Sequence, residues 1–165
     1  MERFDAPPPI AAPLYRLTPH GLNLLPTLFA LVRWAQPLMT SGPDSTDIER
    51  GRWTAFAVRA FITEVPSDVG DLTVRFDHPT EPVTMTISRG AVTATIGSGP
   101  SSESATADVR VTGPVWYQLG LLCGEISFAD AHALLDIIGR RDPVTRFRRL
   151  LVTNHSHSSR SGAAG

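Results

Sequence analysis

The strongest constraint on the fold is a change of hydrophobic period after Pro66. Beyond this residue, apolar and polar side chains alternate in four short runs that are separated by turn-forming residues. Alternation with a period of two predicts β-strands that bury one face. The inward positions are Leu72, Val74, Phe76, Val83, Met85, Ile87, Val92, Ala94, Ile96, Val109 and Val111. We therefore expect a small antiparallel, half-buried sheet of four strands, with a hairpin at residues 88–90 and a flexible loop over 97–106.

Helical patterns flank this predicted sheet on both sides. Residues 47–64 predict one helix, and three more begin near Pro114, Phe128 and Pro143. The expected apolar face of the first helix consists of Trp53, Phe56, Ala57, Ala60 and Phe61. This order of elements predicts an α+β domain over residues 47–152. Residues 153–165 are rich in Ser and Gly, so we expect a disordered tail.

A separate helix is predicted ahead of this domain. Thr18 suits an N-cap and Pro19 the first helical position, while Pro26 is expected to kink the helix and Pro37 to end it. The apolar residues form two adjacent stripes, so the helix is apolar over more than half of its circumference. The stripes are Leu22, Leu25, Phe29 and Val32, and Leu24, Leu28, Leu31 and Ala35. A helix of this kind needs packing partners on two sides.

Residues 1–39 resemble the end of the winged-helix domain of HxlR-type transcription regulators. The resemblance rests on a proline-rich run over residues 5–13 and on three later motifs. The motifs are Leu14-Tyr15-Arg16-Leu17-Thr18-Pro19-His20-Gly21, Leu24-Leu25-Pro26 and Leu31-Val32-Arg33-Trp34-Ala35. It implies a wing hairpin followed by a dimerisation helix over residues 20–37. The residues expected at the dimer interface are Leu24, Leu28, Leu31 and Trp34.

The same resemblance implies a limited role in DNA binding. Arg3 and Arg16 lie on the expected wing, where they would approach DNA. Without a recognition helix in the major groove, two arginines bind DNA only weakly and in a salt-dependent way. In the family the helix-turn-helix precedes the wing. We therefore expect DNA binding only if such a motif lies upstream of Met1. The expected assembly is a homodimer or a heterodimer with a full-length regulator.

Residues 47–152, which follow a linker over 40–46, resemble the sterol carrier protein 2-like domain that occurs fused to bacterial regulators. Residues 82–90 are similar to its central hairpin, 107–114 to its last strand with a Gly-Pro helix start, and 121–131 to a later helical segment in which Asp130 replaces the more usual Glu. The resemblance implies a pocket for a small hydrophobic ligand. The expected lining is Trp53, Phe56, Met85, Trp116 and Leu119. The alternative is that these side chains simply fill the core.

The sequence contains no arrangement that indicates catalysis or a metal site. Cys123 is the single cysteine, which excludes an internal disulfide, and His155 and His157 fall in the expected tail. We expect no enzyme activity, no cofactor, no membrane segment and a cytoplasmic protein. The function predicted first is that of an HxlR-type regulator or its C-terminal part. The alternatives are a stand-alone carrier of hydrophobic ligands and a dominant-negative partner that does not bind DNA.

Overall fold

The computed structural model describes residues 2–5, 13–36, 44, 47–97 and 107–161. The chain forms two compact units, Met1–Ala35 and Gln36–Gly165. The expected linker over 40–46 and the loop over 97–106 lie mostly outside the described residues. Within the described residues, no helix combines the length and the apolar composition that crossing a membrane requires.

The first unit consists of a hairpin and two helices. Strand β1 (Glu2–Asp5) pairs antiparallel with β2 (Pro13–Arg16), and helices α1 (Pro19–Leu22) and α2 (Leu25–Ala35) follow. The Thr18 hydroxyl caps α1 by accepting a hydrogen bond from the Gly21 N–H at 3.1 Å. The expected kinked helix is thus two helices. Pro26 lies in the first turn of α2, where a missing N–H leaves no helical hydrogen bond unmade.

The second unit contains a five-stranded mixed sheet in an α+β fold. Its strands are β3 (Leu72–Phe76), β4 (Val83–Ser88), β5 (Ala91–Ile96), β6 (Val109–Thr112) and β7 (Asp136–Gly139), in the order β5-β4-β3-β6-β7. The four expected strands are present. The sheet is not wholly antiparallel as expected, because β6 joins β3 in parallel. Strand β7 was missed because its sequence, Asp-Ile-Ile-Gly, places its two apolar residues side by side and does not alternate.

Helices pack on the sheet and enclose the core. They are α3 (Arg52–Phe61), α4 (Val115–Cys123), α5 (Phe128–Ala131) and α6 (Arg141–Ser161). Helix α3 contacts β4, β5 and α4, whereas α6 contacts β3, β6 and β7. The rings of Phe76 and Phe128 both meet the ring of Phe147 edge to face, with centroids 6.2 and 6.0 Å away. These contacts join α5 and α6 to the centre of the sheet.

The C-terminal segment differs from the expected disordered tail. Helix α6 continues past Thr153 to Ser161, and Asn154 is only 5% exposed. Its Oδ1 accepts hydrogen bonds from the N–H groups of Thr63 and Glu64 at 2.9 and 3.0 Å, and its Nδ2 donates to the Glu64 carbonyl at 2.9 Å. One buried amide therefore fastens α6 to the segment that follows α3.

Candidate functional site

The most unusual surface of the first unit is the outer face of α2, defined here as Leu24, Leu28, Leu31 and Trp34. These side chains are 58%, 45%, 54% and 71% exposed. Neither α1 nor α2 contains a buried residue. The second stripe of α2, which includes Leu25, Phe29 and Val32, is partly buried. The four residues expected at a dimer interface thus lie together on one exposed side. Three of them belong to α2, and Leu24 immediately precedes it.

The hairpin separates the two arginines that were expected to approach DNA. Arg3 pairs in register with Tyr15, and Arg16 pairs with Glu2. Because neighbouring residues of a strand alternate between its two faces, Arg3 and Arg16 occupy opposite faces of the hairpin.

The expected pocket residues of α3 lie on its outer side. Trp53 and Phe56 are 43% and 46% exposed. The buried side of α3 consists mainly of small residues, namely Thr54, Ala55, Ala57, Val58 and Ala60. Small side chains let α3 approach the sheet and α4 closely, which turns the larger aromatic rings outward. Trp53 and Phe56 have the expected helical spacing to Ala57 and Ala60, but they lie at the exposed border of that face, whereas the two alanines are buried.

The remaining expected pocket residues have different surroundings. Met85 is completely buried within the core cluster. Leu119 of α4 is partly buried against that cluster, and Trp116 is also partly buried. The structure therefore places Met85 in the core and Trp53 and Phe56 at the surface. A ligand at the aromatic pair would meet an open face of α3.

A buried polar side chain that the sequence patterns did not reveal joins α3 to α4. Gln118 is 1% exposed. Its Oε1 accepts a hydrogen bond from the Thr54 hydroxyl at 3.1 Å, and its Nε2 donates to the carbonyls of Asp77 and Gly113 at 3.0 and 2.9 Å. Because other groups of the protein accept or donate these hydrogen bonds, Gln118 has a structural role. A polar residue amid the apolar run of α4 was the one available signal.

Among the described residues of the second unit, the cysteine and one histidine have shifted pKa values that do not indicate an activated nucleophile. Burial raises the pKa of the Cys123 thiol, which disfavours the reactive thiolate. Burial lowers the pKa of His155, whose Nε2 lies 3.3 Å from the Leu122 carbonyl oxygen. Among the residues that the structure describes, no three His, Cys, Asp or Glu side chains are placed to hold a metal ion.

Glu81 and Arg52 form an ion pair that strongly shifts the pKa of Glu81. The Arg52 Nε donates to Glu81 Oε1 at 2.9 Å, and the Arg52 backbone N–H donates to Oε2 at 3.2 Å. The side-chain hydrogen bond from Arg52 lowers the pKa of Glu81 to about 2. The pair joins the start of α3 to the segment before β4, so its role is to anchor the helix.

No protein-family model matches this chain, and no curated protein sequence does. Two solved structures are similar to part of it. One is a double mutant of the sec-alkyl sulfatase PisA1, with a TM-score of 0.44, 15% identity and coverage of 58% of this chain and 16% of that one. The other is the stereoselective inverting sec-alkylsulfatase Pisa1 from Pseudomonas sp., with a TM-score of 0.45, 18% identity and coverage of 62% and 17%. The matches thus span less than a fifth of the length of either sulfatase.

Proposed function

We propose that this chain acts as part of an HxlR-type transcription regulator, in which α2 pairs two copies and the second unit responds to a small hydrophobic ligand. The observation that carries this proposal is the outer face of α2, with four large apolar side chains that are each at least 45% exposed. Removing a half-exposed leucine from water contributes about 1 kcal/mol. Pairing two such faces offsets the unfavourable exposure that each helix has alone.

A second copy is the partner that the resemblance favours. An isologous contact between two identical apolar faces is the commonest form of oligomer, and it needs no second gene product. The Thr18 cap and the proline at the first position of α1 agree with the motif on which the resemblance rests. A heterodimer with a full-length regulator would use the same face.

The proposed contribution of this chain to DNA binding is small. Arg3 and Arg16 lie on opposite faces of the hairpin, so each wing would offer one arginine to the phosphate backbone. Specific binding would then depend on a helix-turn-helix upstream of Met1. The proposed site of action is the cytoplasm, where bacterial regulators meet DNA.

The proposed dimer can be tested by placing one charge on the outer face of α2. Leu28→Glu should convert the associated protein into single chains, because pairing would bury an unpaired carboxylate. Pro26→Glu is the matched control, since residue 26 is exposed and lies on the far side of the same helix from Leu28 and Leu31. Sedimentation velocity distinguishes the two forms. The proposal fails if both variants associate as the wild type does, or if both dissociate equally.

A second candidate function is that of a carrier of hydrophobic ligands, which the exposed Trp53 and Phe56 favour. A fatty-acyl probe that binds α3 should quench tryptophan fluorescence in the wild type. In Phe56→Ser, the probe should bind at least several-fold more weakly. Phe4→Ser, in the hairpin, serves as a control. Equal binding by all three proteins would count against a ligand site on α3.

A further inference from the structure

Strand β5 is an edge of the five-stranded sheet and lacks the usual features that protect an edge. Its six residues, Ala91–Ile96, include no charged residue and no proline. Exposed edge strands normally carry a charge, a proline or a bulge, because their unpaired backbone groups can pair with another chain. Within the described part of the chain, no strand pairs with the outer side of β5.

The hydrogen-bond pattern identifies which backbone groups of β5 point outward. The Gly97 N–H donates to the Pro82 carbonyl at 2.7 Å, so the odd-numbered residues of β5 bond to β4. In an antiparallel pair the bonded positions alternate. The N–H and C=O groups of Val92, Ala94 and Ile96 therefore point away from β4.

One charged side chain reaches this outer edge from α3. The Arg59 Nη2 donates a hydrogen bond to the Ala94 carbonyl at 3.0 Å. Ala94 is the middle residue of the three that point outward. Arg59 thus brings a positive charge to the centre of an edge that has no charge of its own.

An exposed apolar stripe borders the same edge. Trp53, Phe56 and Arg59 follow one another at intervals of three residues, so Phe56 is a surface neighbour of both Trp53 and Arg59. Trp53 and Phe56 are 43% and 46% exposed, and Ile96 at the end of β5 is 52% exposed. Because α3 packs against β5, these side chains add exposed apolar surface to the helix beside this edge.

We infer that the β5 edge and the stripe form a surface that can pair with a second copy of this chain. Arg59 prevents this pairing in the wild type. Antiparallel pairing centred on Ala94 sets Val92 opposite Ile96 of the second copy, and every outward N–H then meets a C=O. The same symmetry brings the two Arg59 guanidinium groups together over the axis. Their mutual repulsion, and the loss of the bond to Ala94, oppose this pairing in particular. The surface is distinct from the outer face of α2.

Replacing Arg59 tests this inference directly. Arg59→Leu should allow the β5 edge to pair. Sedimentation velocity should then give at least twice the average mass of the wild type, at a concentration where the wild-type mass does not depend on concentration. Arg59→Lys keeps the charge and should behave as the wild type does. Arg148→Leu, on the exposed side of α6, controls for the loss of an arginine and the gain of a leucine. Adding Thr93→Lys to Arg59→Leu should restore the wild-type mass, because it returns a charge to the strand.

Two results would overturn the inference. One is an Arg59→Leu protein that is folded by circular dichroism and keeps the wild-type mass. The other, which needs no variant, is slow amide exchange at Val92, Ala94 and Ile96 in the wild type, since that would mean the edge is already paired. If α2 also pairs copies, Arg59→Leu forms open-ended chains, and Leu28→Glu reduces them to β5-paired dimers. If α2 does not pair, Arg59→Leu gives dimers directly.

Discussion

Asn154 illustrates how one buried side chain can fix a segment whose composition indicates disorder. Its amide satisfies the N–H groups of Thr63 and Glu64 and the Glu64 carbonyl, and it also donates to the Leu150 carbonyl at 2.8 Å. These four contacts hold the last part of α6 against the segment after α3. Composition alone indicated disorder here, because the surrounding Ser and Gly residues outweigh one asparagine.

Asn154→Ala should lower the free energy of unfolding by about 1 to 3 kcal/mol, because it leaves two backbone N–H groups without their acceptor. Urea denaturation followed by circular dichroism measures the change. Ser156→Ala removes an exposed hydroxyl from the same helix and should have little effect. Equal stability of Asn154→Ala and the wild type would mean that α6 is not anchored there.

Glu81 makes stability depend on pH. Its pKa in the folded protein is about 2, below the ordinary value of 4.5. The contribution of ionised Glu81 to the free energy of unfolding is therefore complete above pH 4.5 and is lost as the pH falls towards 2. Glu81→Gln should be less stable than the wild type at neutral pH. The difference should shrink as the pH falls to about 2. Thermal melts across this range, with Asp136→Asn as the control, measure it. A difference that is constant with pH would contradict the role of the ion pair.

At the scale of elements, the sequence predicted those structures whose residues repeat a pattern several times. The four strands with two or more inward apolar residues lie where alternation placed them. Strand β7 was not predicted because its two apolar residues, Ile137 and Ile138, are adjacent and show no period of two. The parallel pairing of β3 and β6 was also not predicted, since pairing between distant strands leaves no local pattern.

Helix α3 shows why the candidate site was harder to predict than the fold. Its aromatic residues have helical spacing, and large rings normally mark the buried side of a helix. Here the buried side carries alanines, because α3 packs closely between β4, β5 and α4. Which side faces inward depends on the space between elements. The role of Arg59 depends on the same packing, since its partner is a backbone carbonyl 35 residues away.

At the scale of the whole molecule, two surfaces suit a second copy in different ways. The outer face of α2 has four exposed apolar side chains, whereas the β5 edge has outward-pointing backbone groups and the nearby charge of Arg59. We propose that the outer face of α2 favours association and that Arg59 opposes association through the β5 edge. Their combination would limit the protein to a closed dimer, because a second open surface would allow chains to grow.

The most direct test of the central claim is the mass of the unmodified protein in solution. Sedimentation equilibrium at increasing concentration should give a mass of twice 17.8 kDa if, as we propose, two copies pair through the outer face of α2. The mass should reach a plateau there, since the β5 edge stays closed. A mass of 17.8 kDa at every concentration would contradict the account.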